Sequence, residues 1–175
     1  MAELTDLDRI RLTRPDLMAL KIHKAERGFA FLYPEAWRRF TFDAGSGPGV
    51  LFAEKPEDFG THVSLEVREL PTPVTAEDLP ELEKGFLAGL RKVPKSKLLS
   101  HTRFEVEPMV GIEAQQTFEE DGKRRRRWVR LLYAGRFQAR LVAQAADEAA
   151  WETWRVKFEP IVSSFDFGED AWPTS

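Results

Sequence analysis

Residues 119–128 read Glu-Glu-Asp-Gly-Lys-Arg-Arg-Arg-Arg-Trp: three acids, a glycine, five consecutive bases and a tryptophan. A basic run of this kind can hold phosphates or an acidic protein surface. Asp121–Gly122 is also a strong two-residue hairpin signal. With that turn, Glu120 faces Lys123 and Glu119 faces Arg124, and each opposed pair contributes roughly 0.2–1 kcal/mol. Arg125 then falls opposite Phe118 and Arg127 opposite Gln116 on one face, while Arg126 shares the other face with Trp128. Strand alternation splits the bases between two faces, so they cannot line one phosphate-tracking groove. The leading reading is a solvated hairpin whose charges protect a strand edge. Arg124, Arg125, Arg126, Arg127 and Trp128 are the candidate partner-binding patch, for an acidic protein surface ahead of nucleic acid. Reversing Arg124 and Arg126 to Glu is expected to leave the fold almost unchanged.

Other chemistry is sparse. Gly45-Ser46-Gly47-Pro48-Gly49 resembles a phosphate loop, but no lysine follows and "VLFAE" reads as a strand, so the glycines connect strands. His23, His62 and His101 stand apart without ligand spacing. Glu54, Asp58 and His62 are the one trio that a loop could bring around a metal, and a solvated histidine is the ordinary alternative. There is no Cys and no Gly-x-Ser-x-Gly elbow. No catalytic residue, metal or cofactor is expected.

The chain has 175 residues, a formal net charge of −3 and 42% hydrophobic residues, a single-domain globular composition. The acidic balance argues against a general polyanion binder. The charged start, residues 1–17, has no apolar signal-peptide core, and no segment is apolar enough to span a bilayer, so a cytoplasmic location is expected. The absence of Asn and the excess of Arg over Lys fit a heat-adapted or GC-rich bacterial host.

The positioning elements follow from periodicity. Thr75 caps a helix whose stripe is Leu79, Leu82, Phe86, Leu90 and Val93, closed by Pro94. A second helix starts at Asp147 and carries Trp151, Trp154, Phe158, Ile161, Val162 and Phe165; Pro160 should kink it or end its first part. "GFAFLYP" and "WRRFTFD" read as a first hairpin around Pro34. "GVLFAE" and "HVSLEVREL" follow, and strands from 97 to 143 form a meander with turns at Asp121–Gly122 and Ala134–Gly135. "WVRLLY" is apolar on both parities, which suggests a sheet covered on both faces. Residues 1–27 form an extension containing either a short helix or an added edge strand. Trp37, Phe86, Trp151, Trp154 and Phe158 are expected in the core, with about 3–5 kcal/mol lost for Trp154→Ala.

The order "FAFLYPEAW" (29–37), "VLF" (50–52), "VSLEV" (63–67), "VGIEA" (110–114), "LLYAGRF" (131–137) and "WETWRVKFEPIVSSFDF" (151–167) resembles PsbP-like domains of the PsbP/Mog superfamily. The resemblance covers residues 28–167 and leaves a tail at 168–175. It implies an α+β fold, an antiparallel sheet flanked by helices on both faces, with "SFDF" as a short terminal strand. The superfamily includes nuclear-import factors that bind the GTPase Ran and chaperones of secretion effectors, and its members share no catalytic residues, so no site carries over. The expected function is a non-enzymatic protein-binding or adaptor domain. A small chaperone sheltering an apolar client segment is the alternative, followed by a weak enzyme or metal binder. The expected partner is another protein, with a homodimer as the further possibility.

Overall fold

The computed structural model describes residues 20–24, 29–43 and 48–168. Nine strands and two helices are present among them: β1 (Leu20–Lys24), β2 (Ala30–Pro34), β3 (Arg38–Asp43), β4 (Pro48–Lys55), β5 (Asp58–Glu69), α1 (Leu79–Arg91), β6 (Lys97–Val106), β7 (Met109–Glu120), β8 (Lys123–Ala134), β9 (Phe137–Ala145) and α2 (Glu148–Ser163). Seven strands make one antiparallel sheet in the order β3-β4-β5-β9-β8-β7-β6. The meander expected between 97 and 143 is its β6–β9 half. Asp121 and Gly122 both have positive φ, 52° and 72°, as a type I′ turn requires. The next turn lies one residue later than expected, at Gly135–Arg136, with Gly135 at φ 55°.

The first hairpin is corrected. β2 pairs with β1 in a separate two-stranded sheet, whereas β3 pairs with β4 in the large one. The turn at Pro34, closed by Trp37 N–H donating to the Pro34 carbonyl at 3.0 Å, therefore hands the chain from one sheet to the other. β1 supplies the added strand allowed for in the N-terminal extension. Residues 1–19, 25–28 and 169–175 lie outside the described residues, as does 44–47 of the glycine loop. "SFDF" adds only one bridge, Ala30 to Asp166, with reciprocal bonds of 2.9 and 2.8 Å.

Local chemistry accounts for the helix starts. Thr75 and Asp78 form a capping box around a 3₁₀ turn at Ala76–Asp78, and α1 continues from it with Pro80 in its first turn. Asp147 caps α2 by accepting from Ala150 N–H at 2.8 Å. Of the two outcomes expected at Pro160, the helix does not end there: α2 runs through it. The missing N–H orphans the Val156 carbonyl one turn earlier, and Val156 is exposed, so water can satisfy that group.

The helices use different residues of the same strands. Leu87 and Leu90 of α1 pack with Ala114, Val129 and Val142, and Leu79 with Ile112, Leu131 and Tyr133. Trp151, Phe158, Ile161 and Val162 of α2 pack with Leu132, Ala134, Ala139, Leu141 and Ala143, in a core that also contains Phe31 and Leu32 of β2. Trp37, Trp151 and Phe158 are buried as expected, while Trp154 and Phe86 are only partly buried. Among the described residues no helix is long and apolar enough to cross a membrane.

Candidate functional site

The basic run lies at the start of β8 in the expected register: Glu120 opposite Lys123, Glu119 opposite Arg124, Phe118 opposite Arg125 and Gln116 opposite Arg127. The ion pairs differ. Glu119 bonds Lys95 at 2.6 Å, beyond the α1 C-terminus, and Glu120 lies 3.4 Å from Arg125. Arg124 donates instead to Thr117 Oγ1 at 2.8 Å. Opposition in the ladder fixes which Cα atoms face each other, and long side chains then choose diagonal partners.

Arg126 of the run and Arg130 beyond it are structural on the Leu132 face. The Arg126 guanidinium lies 4.4 Å from the centre of the Trp151 ring and bonds the Glu148 carboxylate at 3.2 Å. Arg130, four residues on, donates to the Val162 carbonyl at 3.2 Å and lies 4.2 Å over the Phe104 ring. Together they hold both ends of α2. Arg130 satisfies a carbonyl that the helix leaves without an internal partner, and its charge suits the negative end of the helix dipole. Glu113 accepts from Trp128 Nε1 at 3.3 Å and lies 3.4 Å from Arg130 Nε. Reversal of Arg126 would set a carboxylate against Glu148 and remove the ring contact, so the expected indifference of the fold is corrected at this position.

Arg125 and Arg127 belong to the opposite parity, the Val129 face. Arg125 is buried, only 6% exposed, and donates to the Ala146 carbonyl at 3.2 Å. Gly60 makes room for it, since a Cβ at residue 60 would come within 2.6 Å of the guanidinium. Arg127 rests 4.4 Å over the Phe118 ring. With the Gln116 amide oxygen turned towards it, Arg127 donates from Nε at 2.8 Å, while the Gln116 NH₂ reaches the Leu90 carbonyl at the end of α1 at 3.2 Å. Of the sequence-derived patch, therefore, Arg125 is buried, Arg126 holds α2, Trp128 packs against the core and donates to Glu113, Arg127 lies between Phe118 and Gln116, and Arg124 is exposed.

Cross-strand rows show what the Val129 face offers. One row runs Arg38-Ala53-His62-Gln144-Arg127-Gln116-Leu98 across the whole sheet. The next runs Phe40-Leu51-Ser64-Val142-Val129-Ala114-His101, and the third Phe42-Gly49-Glu66-Arg140-Leu131-Ile112-Arg103. A fourth places Arg68 beside Gln138, Tyr133, Val110 and Glu105. The β7–β8 members Ala114, Val129, Ile112, Leu131 and Tyr133 are apolar and lie against α1, whereas β6 ends the rows in His101, Arg103 and Glu105. The β3–β5 ends carry Arg38, Phe40, Phe42, His62, Glu66 and Arg68, and among the described residues the main sheet contacts of α1 are with β6 and β7. Arg38, Arg68 and Glu66 lie on this half, and Arg140 of β9, 3.8 Å from Glu66, and Arg127 of β8 border it. Phe40 meets the exposed Phe59 edge-on at 5.1 Å at its margin. Burial and then the nearby Arg140 charge lower the Arg127 pKa to about 10, so this guanidinium sits short of compensating negative charge. Sequence reasoning missed Arg38, Arg68 and Arg140 because they are far apart in the chain and only the β5–β9 pairing brings them together.

His62 is partly buried, and its Nδ1–H donates to the Phe59 carbonyl at 2.6 Å. Asp58 accepts from Gly60 N–H at 2.9 Å, and Glu54 is exposed. Among the described residues no group of three His, Asp or Glu is arranged to hold a metal. Burial holds the His62 pKa below 6.5, with Arg127 and Arg125 acting in the same direction against the Phe59 carbonyl and Glu120. His23 is also lowered, by burial and then Arg39. A base whose folded pKa is depressed binds fewer protons than in the unfolded chain below 6.5. Stability should therefore be full above that pH and fall as pH drops towards the folded pKa. Urea midpoints at about pH 7.5 and about pH 5.5 should show this loss. His62→Gln should shrink the difference without abolishing it, because His23 remains.

No family model matches the sequence, and no curated protein matches it. Solved structures do. Cyanobacterial PsbP from Synechocystis aligns over 85% of this chain and 92% of its own, at 18% identity and a TM-score of 0.63. The fold is PsbP-like. LpqN of Mycobacterium tuberculosis, described as involved in cell envelope biogenesis, aligns over 94% of this chain and 98% of its own at 13% identity, TM-score 0.56. A Bacteroides thetaiotaomicron protein aligns over 85% of this chain and 47% of its own, at 13% identity and a TM-score of 0.55. The PsbP-like frame explains the ordered series of sequence motifs. At these identities it carries the architecture and no side-chain function.

Proposed function

We propose that this protein is a non-enzymatic binding domain that docks an acidic surface of another protein on the open half of its large sheet. The observation that carries the reading is the set Arg38, Arg68, Arg127 and Arg140 on the Val129 face, in a chain whose net charge is −3. Guanidinium groups bind carboxylates bidentately, and the half-buried Arg127 would gain most from an incoming acid. Phe40 and Phe59 supply an apolar margin for such an interface. In the same reading α1 covers the Val129 face and α2 the Leu132 face, which leaves the β3–β5 end of the Val129 face free for a partner. A chaperone would need a continuous apolar groove. The exposed large hydrophobics among the described residues, Phe59, Leu99, Val106 and Val156, are instead spread over β5, β6 and α2, which favours the binding domain.

The test is affinity capture from the source cell with wild type and with Arg68→Glu/Arg140→Glu, followed by mass spectrometry. A specific acidic protein should be retained by wild type and lost from the variant. Retention of the same proteins by both forms would remove the arginine face from the function.

A further inference from the structure

β6 ends the large sheet, and its outer edge is unpaired among the described residues. It is ten residues long, contains no proline, and carries the exposed Leu99 and Val106. The opposite edge, β3, is six residues long and begins with two arginines. Natural edges are usually short, charged or covered, because an open ladder recruits another strand. β6 carries a bulge between Leu98 and Ser100 and the charged Lys97, Arg103 and Glu105, of opposite signs. Beyond the bulge, Ser100–Val106 is a regular edge.

We propose that this edge pairs antiparallel with the β6 of a second copy, joining two seven-stranded sheets into one. Side-chain parity limits the registers. His101, Arg103 and Glu105 end rows on the Val129 face, and Ser100, Thr102 and Phe104 alternate with them. A two-fold axis normal to the sheet must keep like faces together, so it passes through a residue. Centring on Thr102 sets His101 against Arg103 twice. Centring on His101 drives the pairing into the bulge. Centring on Arg103 uses only the regular segment and sets each His101 against the other copy's Glu105. Glu83 of α1 already bonds both residues, Arg103 Nε at 3.1 Å and His101 Nδ1 at 2.8 Å, which tempers the approach of the two guanidinium groups and leaves His101 Nε2 to meet the other copy's Glu105. A cleft of about 310 Å³ lined by Ala76, Leu79, Arg103, Phe104 and Glu105 flanks the edge there and gives the incoming His101 ring room beside Glu105.

Sedimentation equilibrium tests the pairing. The wild type should dimerise from its 20.1 kDa chain mass. Glu105→Lys and His101→Glu, each alone, should weaken the dimer by about tenfold or more, since two cross-strand pairs are lost at once. An equimolar mixture of the two variants should associate again, because the introduced carboxylate of one faces the introduced ammonium of the other. Thermal melts establish that each variant is folded. If His101→Glu does not fold, Glu105→Ser supplies the weakening alone. A wild type that stays monomeric at about 100 μM, or a dimer whose constant is unmoved by Glu105→Lys, overturns the proposal.

Discussion

Trp151→Ala is expected to lower stability by about 3–5 kcal/mol, read as a shift of the urea midpoint at unchanged m-value. Trp151 is buried in the α2 core, its ring 5.6 Å from that of Phe158, and the Arg126 guanidinium lies on its outer side. Truncation would leave a void between α2 and the sheet, and the guanidinium would lose the ring it covers. Trp154→Ala removes a ring that is only partly buried and packs edge-on to Trp37 at 4.7 Å. Its cost should fall below that range, contrary to the reading from the sequence. Equal losses at 151 and 154 would show that the helix face is wrongly assigned.

The second large effect is expected at Gly111. A Cβ there would overlap the Phe104 ring and come within 2.6 Å of the Leu131 carbonyl oxygen, which the sheet holds in place. Phe104 lies flat over the glycine, and Arg130 in turn lies on Phe104 while donating to Val162. Gly111→Val should therefore displace the ring, loosen the arginine and weaken the hold on the end of α2. We expect a loss of about 3 kcal/mol, at the upper end for overpacking. Gly111→Val/Phe104→Ala should recover part of it by clearing the space, measured in the same titration. An additive double variant would mean that the ring is not the obstacle.

What could be read in advance was local. Asp121–Gly122 fixed a register because two positive φ values are needed in sequence, and Asp147 marked a helix start because its carboxylate reaches only three residues ahead. The run from Arg124 to Arg127 was also divided between faces as alternation requires. The fates of those side chains were not legible. Arg125 is buried because Gly60, far away in the chain, leaves a hollow for it, and Arg126 is held by a helix that begins at Glu148. The placement of β2 was missed for a related reason. "FAFLYP" and "WRRFTFD" are adjacent and strand-like, and nothing in their pattern states that a turn at Pro34 changes sheets. The arginine face was illegible because it is assembled by pairing between β5 and β9, whose partners are some 70 to 80 residues apart.

That same pairing divides the molecule in time as well as in space. β3–β5 and β6–β9 are each joined by connections of a few residues, so their ladders close small loops at low entropic cost. The seam from His62–Gln144 to Glu69–Phe137 must enclose the whole of α1 and three further strands before it forms a single bond. Two local meanders can therefore assemble early and independently, and the seam that joins them is the slow, entropy-limited event. Until it closes, both inner edges are exposed, and the arginines that face outward together in the finished sheet belong to separate halves.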